Sequence, residues 1–395
     1  MKRPLFRLLA PLALAFSLNA ADLSSFDGVW VMKEAVFDGN AVPSDAVSIT
    51  VTIDNGKYTF DMGDNQAKGV FEVDFSRKPA VMKITEEEGQ NPGRVLSALA
   101  ELTPTGWRAI YPTNGGSTPS SFESGPGSGL LLTQYERKPG TVAPAKPLRA
   151  LLILGGCCHD YANQKQILKK GLEARARVQV DIIHSSDSST KPPLPIFGKP
   201  DYAKGYDVVI HDECSADISD PATVEGVLAP HRQGTPAVAL HCAMHSYRIG
   251  NPGQPATSGT PHAFWFDLLG LQSSGHGPQL PVVIEYLQGK SPITAGLSGW
   301  TTINEELYNN IKVWETAVPV ARGKQGAGDK PGQNSSVVAW THEYGPGKTR
   351  VFATTIGHNN ETVADPRYLD LVTRGVLWSC GKLAQDGKPV PGYGR

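Results

Sequence analysis

Charge of one sign, long apolar runs and cysteine are all scarce in this chain of 395 residues. Lysine and arginine number 37 against 38 acidic residues, a net charge of −1, so no overall field favours nucleic acid or an anionic membrane surface. Beyond the first residues no apolar run reaches the roughly 20 residues that a membrane-spanning helix needs. The five cysteines, at 157, 158, 214, 242 and 380, are too few for a disulfide-built scaffold. Their odd number leaves at least one thiol unpaired in a monomer, and chain order does not assign the pairs. The first 148 residues contain neither histidine nor cysteine, which excludes imidazole or thiol chemistry there.

What stands at the front is a leader. Lys2 and Arg3, an apolar run over 8–18 and small residues around Asn19, Ala20 and Ala21 form a cleavable secretory signal over residues 1–21. A secreted or periplasmic protein is the expectation, and no cysteine near the cleavage point offers a lipid anchor.

Residues 22–138 read as short strands divided by turn signals, among them 30–32, 48–53, 57–60, 70–75, 80–85, 107–111 and 130–136. Asp54-Asn55-Gly56 is a hairpin turn, and meander connections of this kind predict a small antiparallel barrel or sandwich. Phe26-Asp27-Gly28-Val29-Trp30 at its start and Leu132-Thr133-Gln134-Tyr135-Glu136-Arg137 at its end resemble the lipocalin-like β domains attached to secreted bacterial proteins. A filled interior is the expectation for so small a barrel. Residues 139–148 are a Pro/Ala linker, the clearest domain boundary in the chain.

After the linker the period changes. Strands are expected at 149–154, 178–183, 206–210 and 237–240, and helices at 164–177 and 221–233, an alternation that implies a parallel sheet covered on both faces. Further strands are expected at 281–286 and 311–320, a loop at 321–335, a hairpin from 337–341 to 350–355 and a closing helix at 366–378. The α/β domain is thus placed at 149–383, with 384–395 as a C-terminal tail. All ten histidines lie between His159 and His358, and His159, His211, His241 and His358 each follow a predicted strand. Strand ends of an open α/β sheet converge on one crevice. The centre of that crevice is expected at 237–248, where an apolar run breaks into His241-Cys242 and then His245.

Gly155-Gly156 with His159-Asp160, Leu240-His241-Cys242, Ser274-Gly275-His276, Glu305-Glu306-Leu307-Tyr308, Val338-Ala339-Trp340-Thr341 and Gly357-His358 together resemble the ThuA-like, trehalose-utilisation family. That resemblance implies a doubly wound, mostly parallel α/β sheet of the flavodoxin or amidotransferase type, preceded here by the β domain. It also implies a small-molecule carbohydrate as partner, a trehalose-type disaccharide or a keto-sugar derivative. Carried over by position, His241, Glu306 and His358 would be acid/base residues, while His159, Asp160, His276, Tyr308 and Trp340 would line the substrate. The family's Asp-Glu-Leu-Tyr stands here as Glu305-Glu306-Leu307-Tyr308, and Cys157-Cys158 departs from the first motif.

Imidazoles beside carboxylates exchange protons with sugar hydroxyls near neutral pH. Trp340 could offer an apolar face to a sugar ring or belong to the core. Three other readings stay open: Cys242 as nucleophile of an amidotransferase-like hydrolase, a non-catalytic sugar-binding or scaffold protein, and a bound metal. Cys157, Cys158, His159, His211, Asp212, Cys214 and His241 all follow strand ends, and such N/S ligands suit zinc or another divalent ion, with disulfides competing for the sulfurs. Oligomeric state is not legible.

Overall fold

The structure is a computed structural model that describes residues 23–43, 49–54, 56–142, 144–326 and 337–395. The signal segment, Ser48, Asn55 and most of the expected loop at 321–335 lie outside the described residues. The chain divides into two compact units, Met1–Pro144 and Ala145–Arg395. Among the described residues no helix is long and apolar enough to cross a membrane.

In the first unit, β1 (Gly28–Phe37), β2 (Asn40–Ala41), β3 (Thr50–Asp54), β4 (Lys57–Asp61), β5 (Gln66–Asp74), β6 (Ala80–Glu88), β7 (Val95–Leu102), β8 (Gly106–Pro112) and β9 (Leu130–Arg137) form one antiparallel sheet. Pairing of β1 with β9, from Trp30 opposite Arg137 to Phe37 opposite Leu131, closes an eight-stranded barrel with β2 as a short flank. Strand β7 escapes the sequence because Leu-Ser-Ala-Leu-Ala-Glu-Leu is built of helix formers. Pairing on both sides overrides that propensity. Phe26, Trp30, Phe71, Trp107 and Tyr135 pack together, yet the interior is not filled. A cavity of about 670 Å³ remains, and small residues such as Ala35, Ala67 and Ala109 on its wall explain why.

The second unit contains β10 (Leu148–Gly156), α1 (Tyr161–Glu173), β11 (Val178–Ser185), β12 (Val208–Cys214), α2 (Pro221–Arg232), β13 (Ala237–Leu240), α3 (Phe264–Leu269), β14 (Leu271–Tyr286), β15 (Trp300–Val313), β16 (Val318–Lys324), β17 (Val337–Tyr344), β18 (Thr349–Thr354), α4 (Asn360–Ala364) and α5 (Pro366–Ser379). The sheet order is β11-β10-β12-β13-β18-β17-β16-β14-β15. The first five strands run parallel and the rest continue antiparallel, so the sheet is mixed.

Alternation along the strands sends Leu152, Ile210, Val238 and Phe352 into one core with Leu168 of α1 and Val372 of α5. Ile153, Val209 and Ala239 point to the other face, against Val224 and Leu228 of α2 and Trp265 of α3. Each large apolar side chain sealed this way contributes about 1.5–3 kcal/mol relative to exposure. Helices α2 and α5 begin where Asp220-Pro221 and Asp365-Pro366 announce them, each aspartate accepting a bond from the first turn.

Two expectations are corrected here. The apolar stretch 311–320 is not one strand: β15 ends at Val313, Trp314 to Ala317 make a turn, and β16 begins at Val318. Pro319, at the second position of β16, is the one proline near that break, and no glycine marks it. The last residues are not a free tail, since Arg177 N–H donates to the Tyr393 carbonyl and Val390 N–H to that of Lys382.

Candidate active site

The carboxyl ends of β10, β13 and β18 supply three histidines, and the β14–β15 hairpin supplies the carboxylate that joins them. His241 follows β13 directly and opens the 3-10 turn His241–His245 with φ +36°. A left-handed backbone is unfavourable for a side chain with a Cβ, and it persists only where the surroundings impose it. Here the Nδ1–H of His241 donates to the Thr355 carbonyl at 2.6 Å, which holds the ring and turns Nε2 inward, 3.5 Å from Glu306 Oε2.

After β18 the chain passes Gly357 at φ +134°, where a Cβ would sit 2.7 Å from the Tyr368 hydroxyl oxygen. Only glycine lets the strand end press against α5 at that point. The next residue, His358, donates its backbone N–H to the Glu305 carboxylate at 3.0 Å and brings Nδ1 to 3.3 Å from Glu306 Oε1. After β10, Gly156 lies so close to the Cys214 carbonyl that a Cβ would approach it to 2.3 Å. His159 then reaches over, its Nδ1–H donating to the His358 carbonyl at 3.2 Å.

The antiparallel pairing of β14 with β15 sets Gln279 opposite Glu306 and His276 opposite Tyr308. Glu306 is thereby buried, with His276 Nδ1 at 3.6 Å and the Gln279 amide donating to Oε1 at 3.2 Å. The ring centroid of His159 is 4.7 Å from those of both His241 and His358. Beside this cluster opens a cleft of about 470 Å³ lined by His159, His358 and Asn359 to Glu361 among others.

Burial opposes ionisation of Glu306, but the imidazoles of His241 and His358 beside it outweigh it and hold the carboxyl far below the usual range. His358 is displaced upward by its bond to Glu306. His159 is pushed down to about 3 by burial and by the charge of His241 and His358. Below it, a bond to Cys214 and burial push the Cys242 thiol well above its ordinary value. With His159 Nε2 at 3.1 Å over its sulfur and 6 % exposure, Cys242 is placed as packing rather than as an available nucleophile.

The structure brings together His159, His241, Cys242, His276, Glu306, Tyr308 and His358. It places Asp160 at the rim, where it caps α1 through Asn163 and accepts from Asn360. Tyr308 is buried and stacks on His245 with ring centroids 4.3 Å apart. Trp340 presents no face to the cleft: it is fully buried in the core with its indole N–H on the Leu269 carbonyl at 2.7 Å. His211 also leaves the expected set, because β12 runs on to Cys214 and the pleat turns His211 to the α2/α3 face. Cys157 and Cys158 are joined in a disulfide. Cys214, Cys242 and Cys380 are free thiols.

Sequence reasoning missed Glu305, Gln279 and Gln164, whose amide donates to the His358 carbonyl at 3.0 Å. A glutamine on the buried side of α1 is the one signal that was available.

The profile of the ThuA family, described as trehalose utilisation, matches residues 149–379. Among solved structures, a ThuA-like protein from Parabacteroides merdae is similar at 19% identity and a TM-score of 0.44, over 60% of this chain and 90% of that one. A GMP synthase protein from Thermoplasma acidophilum is similar at 12% identity and a TM-score of 0.36, over 60% of this chain and 96% of the other. A glutamine amidotransferase from Thermotoga maritima shows 11% identity and a TM-score of 0.32 over the same shares. No curated protein matches the sequence.

Proposed function

The chain belongs to the ThuA, or trehalose-utilisation, family through residues 149–379, and on that premise we propose that its crevice acts on a carbohydrate. The substrate class is a trehalose-type disaccharide or a keto-sugar derivative, and His241, Glu306 and His358 form the reacting centre. One observation carries the reading: a buried carboxylate has three imidazoles at 3.3–3.6 Å and stands beside an open cleft. An imidazole backed by an ionised carboxylate so placed takes a proton from a sugar hydroxyl or from the carbon next to a sugar carbonyl and then returns it to the leaving oxygen, while Glu306 stabilises the imidazolium between the two steps. His276, the exposed member of the set, meets the sugar, and His159 and Asp160 border its entry.

Export belongs to the same reading. It is supported by the leader sequence and by the Cys157–Cys158 disulfide, which suits an oxidising compartment.

The test is turnover of a panel of trehalose-type disaccharides and their keto derivatives by the wild type and by Glu306→Gln. The expected result is a loss of about 10²–10⁴-fold in the variant, the range for a positioned acid/base group, at an unchanged melting temperature. Equal turnover by both proteins overturns the assignment of Glu306. Binding without turnover by the wild type makes the protein a sugar binder instead.

A further inference from the structure

We propose that His159, His241 and His358 hold a divalent transition-metal cation of the zinc class. Each of the three offers one ring nitrogen, and these three atoms lie within 4.8 Å of one another. A tetrahedral site with metal–nitrogen bonds of roughly 2.0–2.1 Å spaces its ligand atoms about 3.4 Å apart. Small side-chain rotations therefore close the set.

The other ring nitrogens show which way the lone pairs point. Carbonyl oxygens only accept, so the bonds from His241 to Thr355 and from His159 to His358 fix the proton on Nδ1 in both rings. Both Nε2 atoms are thus left as electron-pair donors, that of His241 facing Glu306 at 3.5 Å and that of His159 facing the Cys242 sulfur at 3.1 Å, a contact a metal would replace. Backing of a ligand imidazole by a carbonyl is the usual second support of a metal site.

His241 Nε2 has no hydrogen-bond partner among the described residues, although the side chain is only 2 % exposed. A buried polar atom left unpaired is unfavourable by about 1–3 kcal/mol, and a cation at this point is the partner it lacks. His358 Nε2 accepts from the Gln279 amide at 2.8 Å, so one of its ring nitrogens also carries a lone pair. Glu306 adds the negative charge that two or three neutral imidazoles cannot supply, 3.3 Å from His358 Nδ1. Nitrogen and oxygen donors in this combination suit zinc, cobalt or nickel better than magnesium or calcium. The second cluster of possible ligands, Cys157, Cys158 and Cys214, is a poorer site because two of its sulfurs are bonded to each other.

The binding claim stands on these atoms alone. Only its consequence rests on the carbohydrate reading: a cation here would polarise a sugar carbonyl or hydroxyl oxygen beside the ionised Glu306.

The experiment uses the full mature chain, stripped with a chelator, dialysed and titrated with Co²⁺ while visible absorption is followed, then with Zn²⁺ in competition. One cobalt per chain with the intense visible bands of a four-coordinate ion is expected, displaced by one equivalent of Zn²⁺. His241→Ala should weaken binding at least about 100-fold, the loss of one direct ligand. Should that variant fail to fold, His159→Gln and His358→Gln, at the cleft edge, decide the matter with the same readout. Absence of stoichiometric cobalt or zinc binding, or binding that the histidine variants leave untouched, overturns the inference. Metal bound without sugar turnover would instead overturn the carbohydrate reading. Turnover that survives in a metal-free chain would overturn only the metal's part in the reaction.

Discussion

Two clusters of histidine and carboxylate belong to the same sheet, one at the carboxyl ends of its strands and one on the face covered by α2 and α3, and they are built from the same chemical parts. In the rear cluster, His211 Nε2 lies 3.0 Å from His231 Nε2 and His211 Nδ1 2.8 Å from Glu213 Oε1. His231 Nδ1 donates to the Thr235 carbonyl at 2.7 Å, and the Tyr247 hydroxyl donates to Glu213 at 2.6 Å. Every ring nitrogen there is used, and the three residues are fully sealed from solvent. In the crevice cluster, His241 Nε2 has no hydrogen-bond partner and a cleft lined by His159 and His358 opens beside it. Histidine next to carboxylate is therefore not itself a sign of chemistry. An unspent ring nitrogen beside an opening is what distinguishes the two.

The contrast breaks most visibly by substituting one member on each side. His358→Ala should reduce sugar turnover by about 10²–10⁴-fold and leave the denaturation midpoint nearly in place. His211→Ala should do the reverse, lowering unfolding free energy by about 3–5 kcal/mol because Glu213 loses its buried partner, with turnover per folded molecule preserved. Urea unfolding and initial rates on both variants check this. A His211 variant that is stable and inactive would erase the distinction.

Acid sharpens the comparison next. Burial and the neighbouring His211 push His231 down to about 3 from an ordinary 6.5, so the unfolded chain binds its proton at a higher pH than the folded one. The stability this group confers is complete above pH 6.5 and is lost as pH falls from there towards 3. Between pH 7 and pH 5 the loss amounts to about 2 kcal/mol. His231→Gln should flatten the stability profile over that window by the same amount, measured by unfolding at the two pH values. An identical slope in the variant would place the titration elsewhere.

The smallest expected effect concerns Trp340. Trp340→Phe keeps an aromatic ring in the core and removes the bond to the Leu269 carbonyl, a net change of about 1 kcal/mol. Sugar turnover should be unchanged. A raised KM with intact stability would return Trp340 to the substrate.

The residues at strand ends were legible because their signal is local. An apolar run that breaks at His241, a Gly357-His358 pair after Ile356 and the Glu306 motif can be found without knowing any contact. Glu305 and Glu306 were not separable in that way. They are neighbours on β15, and the pleat sends one to anchor the backbone of His358 and the other into the imidazoles. Which does which depends on the register of β15 against β14, and a shift of one residue would exchange them. Gly275, Gly277 and Pro278 hid the first half of β14, so a strand was expected only at 281–286 and not through His276. The hollow of the closed barrel was equally hidden, because whether small residues leave a cavity depends on all eight strands at once.

By itself the sequence determined the division into a β unit and an α/β unit, the parallel βαβ run from β10 to β13, the starts of α2 and α5, and the histidines and carboxylate from which a site could be made. These rest on periodicity, turn chemistry and capping, which act over a few residues. Only the tertiary structure decided that His211 turns away while His241 turns in, that Trp340 is core, that Cys157 binds Cys158, and that Glu306 sits among the imidazoles. Those outcomes follow from strand parity, pairing register and hydrogen bonds between residues as distant as His241 and Thr355, interactions that exist only once the sheet is assembled.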